Sequence, residues 1–120
     1  MFEIISRALR QNNVEQNDTI VINADEKKVI TLNIPKILLI LLYNFSMYCR
    51  TEDKVMFDFI MNNFNEILDI VRTELEIALY NYITLYEQEL AEKIELHNKV
   101  ETMLILTIQD KVNKKLEKLL

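Results

Sequence analysis

The chain of 120 residues contains no glycine and no tryptophan, and one each of proline, cysteine and histidine. Glycine averages about 7% of residues in proteins, and its absence excludes specific chemistry. A glycine-rich phosphate loop, a dinucleotide fingerprint and a strand-to-helix nucleophile elbow cannot be written with these residues. Helix ends that turn through a left-handed residue need a substitute, for which asparagine is the natural choice. The single Cys49 cannot form an internal disulfide and the first residues do not read as a signal peptide, so a reducing, cytoplasmic location is expected. The longest unbroken apolar run, Ile37 to Tyr43, is far short of the roughly 20 residues a membrane span needs. No membrane partner is expected.

What is present is grease and charge. Half the residues are apolar and 28% are charged, which places the chain among folding proteins rather than disordered ones. Its length suits one domain, 1–120, read as a head (1–50) and a long helical region (51–120). The formal charge of −5 is uneven, because residues 51 to 100 carry eleven acidic against four basic side chains. A phosphate backbone is repelled by that middle, so general nucleic-acid binding is disfavoured.

The dominant pattern is a stripe running from Phe57 through Ile60, Phe64, Ile67, Val71, Leu75, Ala78, Tyr82, Tyr86, Leu90, Ile94, His97, Val100, Leu104, Ile108, Val112 and Leu116 to Leu119. Steps of three and four mark a helical face. The stripe fits one very long helix or helices folded on each other. Asn62-Asn63, Thr73 to Glu76 and His97 to Lys99 are candidate hidden turns, Thr73 with Glu76 and Asn98 with Glu101 resembling capping boxes. Leu75 to Leu96 shows no interruption, and at least one helix longer than twenty residues is expected. Lys111, Lys114, Lys115 and Lys118 suit the negative end of a final helix dipole.

Upstream, Phe2 to Gln11 reads as an amphipathic helix stopped by Asn12 and Asn13. Thr19 to Asn23 and Lys28 to Asn33 are rich in β-branched residues around a polar Ala24 to Lys27, which predicts a β-hairpin with Ile20, Ile22, Ile30 and Leu32 inward. Asn33 is a good N-cap and Pro35 suits a first turn, so a helix follows. Leu39 and Ile40 make that helix apolar on a second face as well. Thr51, followed by Glu52 and Asp53, predicts the next helix start.

The chemistry-bearing residues are few. His97 lies on the stripe, without the Glu-x-x-His or His-x-x-x-His spacing of a helical metal site, and reads as structural or interfacial. Arg50 beside Cys49 favours a lowered thiol pKa, although a buried small side chain is the reading adopted. The acidic residues Glu74, Glu76, Glu87, Glu89, Glu92 and Glu95 mostly fall off the stripe, as a solvated face requires. No catalytic residue, cofactor or metal is expected. Arg7, Arg10, Lys27, Lys28 and Lys36 allow a DNA-binding end, but no segment is both basic and amphipathic enough for a recognition helix.

A hairpin, a Pro-led helix and long helices, on Val29 to Leu42 and Thr73 to Glu92, resemble in layout the subunits of the archaeal GINS replication complex. The resemblance has no diagnostic motif and carries no functional residue across; it implies only that this layout occurs in assembly subunits. The abundance of Ile, Asn, Lys and Glu suits an AT-rich genome, including those of many viruses.

The expected fold class is mainly α: a helical bundle or long helical hairpin with a small N-terminal β-hairpin. The expected function is non-enzymatic, a protein-interaction module or assembly subunit that forms a homodimer through its long helices. The acidic surface is offered to a protein partner, as an inhibitor or adaptor of nucleic-acid machinery. The interaction residues are Leu39, Ile40, Tyr82, Tyr86, Glu87, Glu89 and Glu92. The alternative is a small dimeric DNA-binding regulator using the basic N-terminal region.

Overall fold

In chain order the elements are α1 (Phe2–Gln11), β1 (Thr19–Asp25), β2 (Lys28–Asn33), α2 (Ile34–Cys49), α3 (Asp53–Glu92) and α4 (His97–Glu117). The computed structural model describes the backbone of residues 1–14, 19–25, 28–92 and 97–120, and the side chains of 1–14, 32–81 and 100–120. This is a mainly α helical bundle carrying a small antiparallel hairpin.

Two helices end through left-handed residues, only one of which is asparagine. At the end of α1, Asn13 takes φ 61°, its amide bonds to the Arg10 carbonyl and that of Val14 to the Leu9 carbonyl. Both bonds together make a Schellman motif, and Val14 and Leu9 are buried in the same core. At the end of α2 the same pattern recurs with Arg50 at φ 52°, its amide on the Met47 carbonyl and that of Thr51 on the Ser46 carbonyl. An arginine, not an asparagine, fills the position a glycine would normally take.

Asn33 caps α2 as its sequence requires, accepting the Lys36 amide at 3.0 Å, with Pro35 in the first turn. The hairpin register pairs Ile20 with Leu32 and Ile22 with Ile30, with an irregularity between Asn23 and Asp25; the side chains of Ile20, Ile22 and Ile30 lie outside the described ones. Leu32 is fully buried. The expected turn residues 26 and 27 lie outside the described residues.

The expected interruptions of the long stripe are corrected. Asn62-Asn63 and Thr73 to Glu76 lie inside α3, which runs unbroken for 40 residues. Neither pair offers a residue that prevents the helical bond, and both sit beside buried neighbours, Ile60 and Leu75, that hold the helix to the core. Of the stretch from Leu75 to Leu96, the part up to Glu92 belongs to α3 without interruption, and its last four residues lie outside the described residues. At the start of α3 the carbonyl of Glu52 accepts the Met56 amide, so Glu52 occupies the cap position expected of Thr51.

Helices α3 and α4, packed together and four residues apart in sequence, form an antiparallel hairpin in which Glu74 lies level with Lys115. Helix α2 runs parallel to α4: Lys36 meets Glu101, and Asn44 meets Gln109, eight residues further on in both helices. Helix α1 runs along the first part of α3, with the Arg7 guanidinium 4.9 Å from the centre of the Phe57 ring and the Asn12 amide on the Met61 sulfur. The first turns of α3 lie beside α2, Phe59 against Phe45, and Glu74 reaches the end of α4.

The outcome for the stripe is internal coverage. Ile60, Ile67, Val71, Leu75, Val100, Leu104, Ile108, Val112 and Leu116 are buried in one core with Ile5, Leu9, Leu38, Leu41 and Phe45, while Phe57, Phe64, Ala78 and Leu119 pack on it half-buried. Tyr82, Tyr86, Leu90, Ile94 and His97 lie outside the described side chains. Helix α2 is buried on two sides as its composition demands, but its last turn leaves Met47 and Tyr48 exposed.

Candidate interaction surface

Two carboxylates expected in solvent or at a cap are instead buried. Glu74, 5% exposed, adjoins the stripe residue Leu75 and turns toward α4, where it pairs with Lys115. Glu101, 3% exposed, is turned toward the hairpin and α2, while the side chain of Asn98, its expected capping-box partner, lies outside the described ones. Its carboxylate accepts the Asn33 amide at 3.2 Å and pairs with the Lys36 ammonium at 3.4 Å. Both buried charges are thus compensated by a lysine whose stem lies on the surface, the arrangement burial of a carboxylate requires. Helix α4 is clasped at its two ends, to the hairpin and α2 by Glu101 and to α3 by Lys115.

Between those clasps runs a polar ladder. The Asn44 amide donates to the Gln109 oxygen at 2.9 Å, and the Gln109 amide donates to the Asn113 oxygen at 2.8 Å and the Leu41 carbonyl at 3.1 Å. Among the described residues no fully buried side-chain nitrogen or oxygen lacks a partner. A satisfied ladder of this kind favours one register of α2 on α4, since a shift by one turn would strand its members.

Cys49 is half-buried, and its thiol is pushed above the usual range, first by burial and then by the nearby Glu117 carboxylate. The expected lowering by Arg50 does not occur: Arg50 is exposed, capping α2 in a left-handed conformation. The neighbouring Tyr48 phenol is also raised, chiefly by its hydrogen bond to Glu117 and then by that group's charge. Among the described residues no three His, Cys, Asp or Glu side chains are grouped to hold a metal ion. No described helix is long and apolar enough to cross a membrane.

The sequence-predicted interaction residues divide into two groups. Leu39 and Ile40 are half-buried against the core of their own chain, so the second apolar face of α2 is largely covered internally. Tyr82, Tyr86, Glu87, Glu89 and Glu92 fall on the described backbone of α3, but their side chains lie outside the described ones. Of the five basic residues of the N-terminal region, Arg7 lies over Phe57 and Lys36 on Glu101, and Arg10 is exposed. Lys27 and the side chain of Lys28 are outside the description.

A different set of large apolar side chains faces outward. Ile77 and Tyr80, one turn apart on α3, and Met103 and Leu106, one turn apart on α4, are all exposed, Tyr80 by 72% and Leu106 by 73%. None belongs to the eighteen-member stripe, and that was the available signal. It does not discriminate alone, because Phe59, Leu79 and Ile105 are also off the stripe and are buried where a third element widens the covered face.

The chain matches no known protein family, no curated protein and no solved structure.

Proposed function

We propose that this protein is a non-enzymatic assembly subunit that works by binding protein, self-associating through its long helices and offering an acidic surface to a partner. The observation that supports the reading is the position of Ile77, Tyr80, Met103 and Leu106. The described part of the inner stripe of the α3–α4 hairpin is already buried by the same chain, so these four are surplus to the core. Large apolar side chains grouped at the surface are a feature of association sites. Exposed carboxylates at Asp58, Glu66, Asp69 and Glu76 lie along the same α3 that carries Glu87, Glu89 and Glu92 further on, which is the acidic surface of the reading.

The test is molar mass by light scattering across a range of protein concentration, on the intact chain and on Leu106→Asp. A mass above the monomer that falls toward it on dilution, and falls further in the variant at unchanged helicity, supports the reading. A monomer at every concentration rejects self-association. If reversing Glu87, Glu89 and Glu92 leaves the affinity and salt dependence of a protein partner unchanged, the acidic-surface part is rejected.

A further inference from the structure

We infer that the outward surface of the α3–α4 hairpin docks a second copy of this chain, α3 of one copy lying along α4 of the other about a two-fold axis parallel to the helices. The inference rests on the reading above and names its partner and geometry.

Glu66, Asp69, Thr73, Glu76, Ile77 and Tyr80 follow one another in helical steps, and all are exposed. They form one row on the side of α3 opposite the buried Val71, Leu75 and Leu79. On α4, Met103, Leu106, Thr107, Lys111, Lys114 and Lys118 make the corresponding outward row. The first row is acidic with an apolar end; the second is basic with an apolar end. Arg72 flanks the acidic row, and the exposed Asp110 and Glu117 fall within the second row on its Leu106 side, Glu117 being held by Tyr48, so the three lysines form its other side.

The Glu74 to Lys115 pair sets the levels. In an antiparallel hairpin with that pair level, Asp69 and Glu76 bracket the heights of Lys114 and Lys118, Lys111 stands level with the segment from Ile77 to Tyr80, and Ile77 and Tyr80 lie within a turn or two of Leu106. A two-fold axis parallel to the hairpin preserves these heights. It brings each copy's carboxylates to the other's ammonium groups and each apolar end to the other. Within one chain the two rows point away from the shared core, and the ion pair between these helices uses Glu74 and Lys115 instead. Docking α3 on α3 sets carboxylate on carboxylate, and α4 on α4 sets lysine on lysine, both repulsive. Because each copy supplies one row of either sign, two copies close the arrangement.

The experiment uses two full-length variants, one carrying Asp69→Lys and Glu76→Lys, the other Lys111→Glu, Lys114→Glu and Lys118→Glu. All five positions are exposed, and circular dichroism checks that each variant retains its helices. Light scattering is expected to show each variant's self-association weakened about tenfold or more, with dimer mass recovered on mixing them in equal amounts. A wild-type dimer unmoved by either set of reversals, or a mixture that stays monomeric, overturns this geometry while leaving self-association standing. A wild-type monomer at all concentrations overturns both.

Discussion

The pairing of Glu74 with Lys115 predicts an asymmetry between its two partners. The Glu74 side chain is 6% exposed and that of Lys115 45%. Replacing Lys115 by Met leaves a carboxylate in the interface between α3 and α4 with no route to water. Breaking a fully buried pair costs about 3–5 kcal/mol, and an exposed pair is worth about 0–1 kcal/mol. With one partner half in solvent, Lys115→Met should cost roughly 1–3 kcal/mol, or a melting temperature lower by about 4–12 °C for a domain of this size. Replacing Glu74 by Met differs in kind, because the Lys115 ammonium swings into water and an apolar side chain takes the buried place. Glu74→Met should lie within about 1 kcal/mol of the parent, and the double replacement at or above it. Urea unfolding at neutral pH, followed by circular dichroism with the slope unchanged, measures all three. If Glu74→Met is as damaging as Lys115→Met, the attraction between the charges is the main contribution and the stranded-carboxylate argument is wrong.

Three further outcomes follow from local geometry. Arg50→Gly should raise stability by about 0.5–1 kcal/mol, since a left-handed residue with a Cβ costs about 1–2 kcal/mol and glycine returns part of that as unfolded-state entropy; thermal melts that show a loss would mean Arg50 makes a stabilising contact. Asn33→Ala should cost about 1 kcal/mol by removing the acceptor of the Lys36 amide, while Asn33→Ser keeps most of it, as chemical denaturation would reveal. The Cys49 thiol should alkylate more slowly than a free cysteine at mildly alkaline pH, and faster in Glu117→Gln. Because its pKa is raised on folding, the thiol's contribution to stability is full below the unfolded thiol's pKa and is lost as pH rises through the folded one. An alkylation rate equal to that of a free thiol would contradict the burial described.

The parts of the fold legible in the sequence were those set by local rules. The period of two in Thr19 to Asn33, the Asn33 cap with Pro35 behind it, and the stop at Asn12 and Asn13 each depend on neighbours within a turn. The parts that were not legible depend on what arrives from far along the chain. Glu74 looks like a surface residue until Lys115, 41 residues on, is brought beside it, and Glu101 looks like a cap partner until Asn33 and Lys36 are. Likewise, Leu39 and Ile40 look like a free face because only the fold shows how much of α2 its neighbours cover.

That same distinction bears on where association would occur. A stripe reports that a helix must bury one face; it carries no information on whether the covering partner is the same chain. Here α3 packs on α4 and the described part of the stripe is buried within the chain, so its length is no measure of surplus apolar surface. Surplus has to be judged from apolar side chains left outside after closure, which shifts attention from Leu39 and Ile40 to Ile77, Met103 and Leu106. The charges beside them then become informative: a lysine row at the end of α4 suits that helix's dipole without any partner, whereas the acidic row near the middle of α3 gains nothing from its own helix ends. In the docking proposed above, Lys114 and Lys118 of another copy stand at the height of that row.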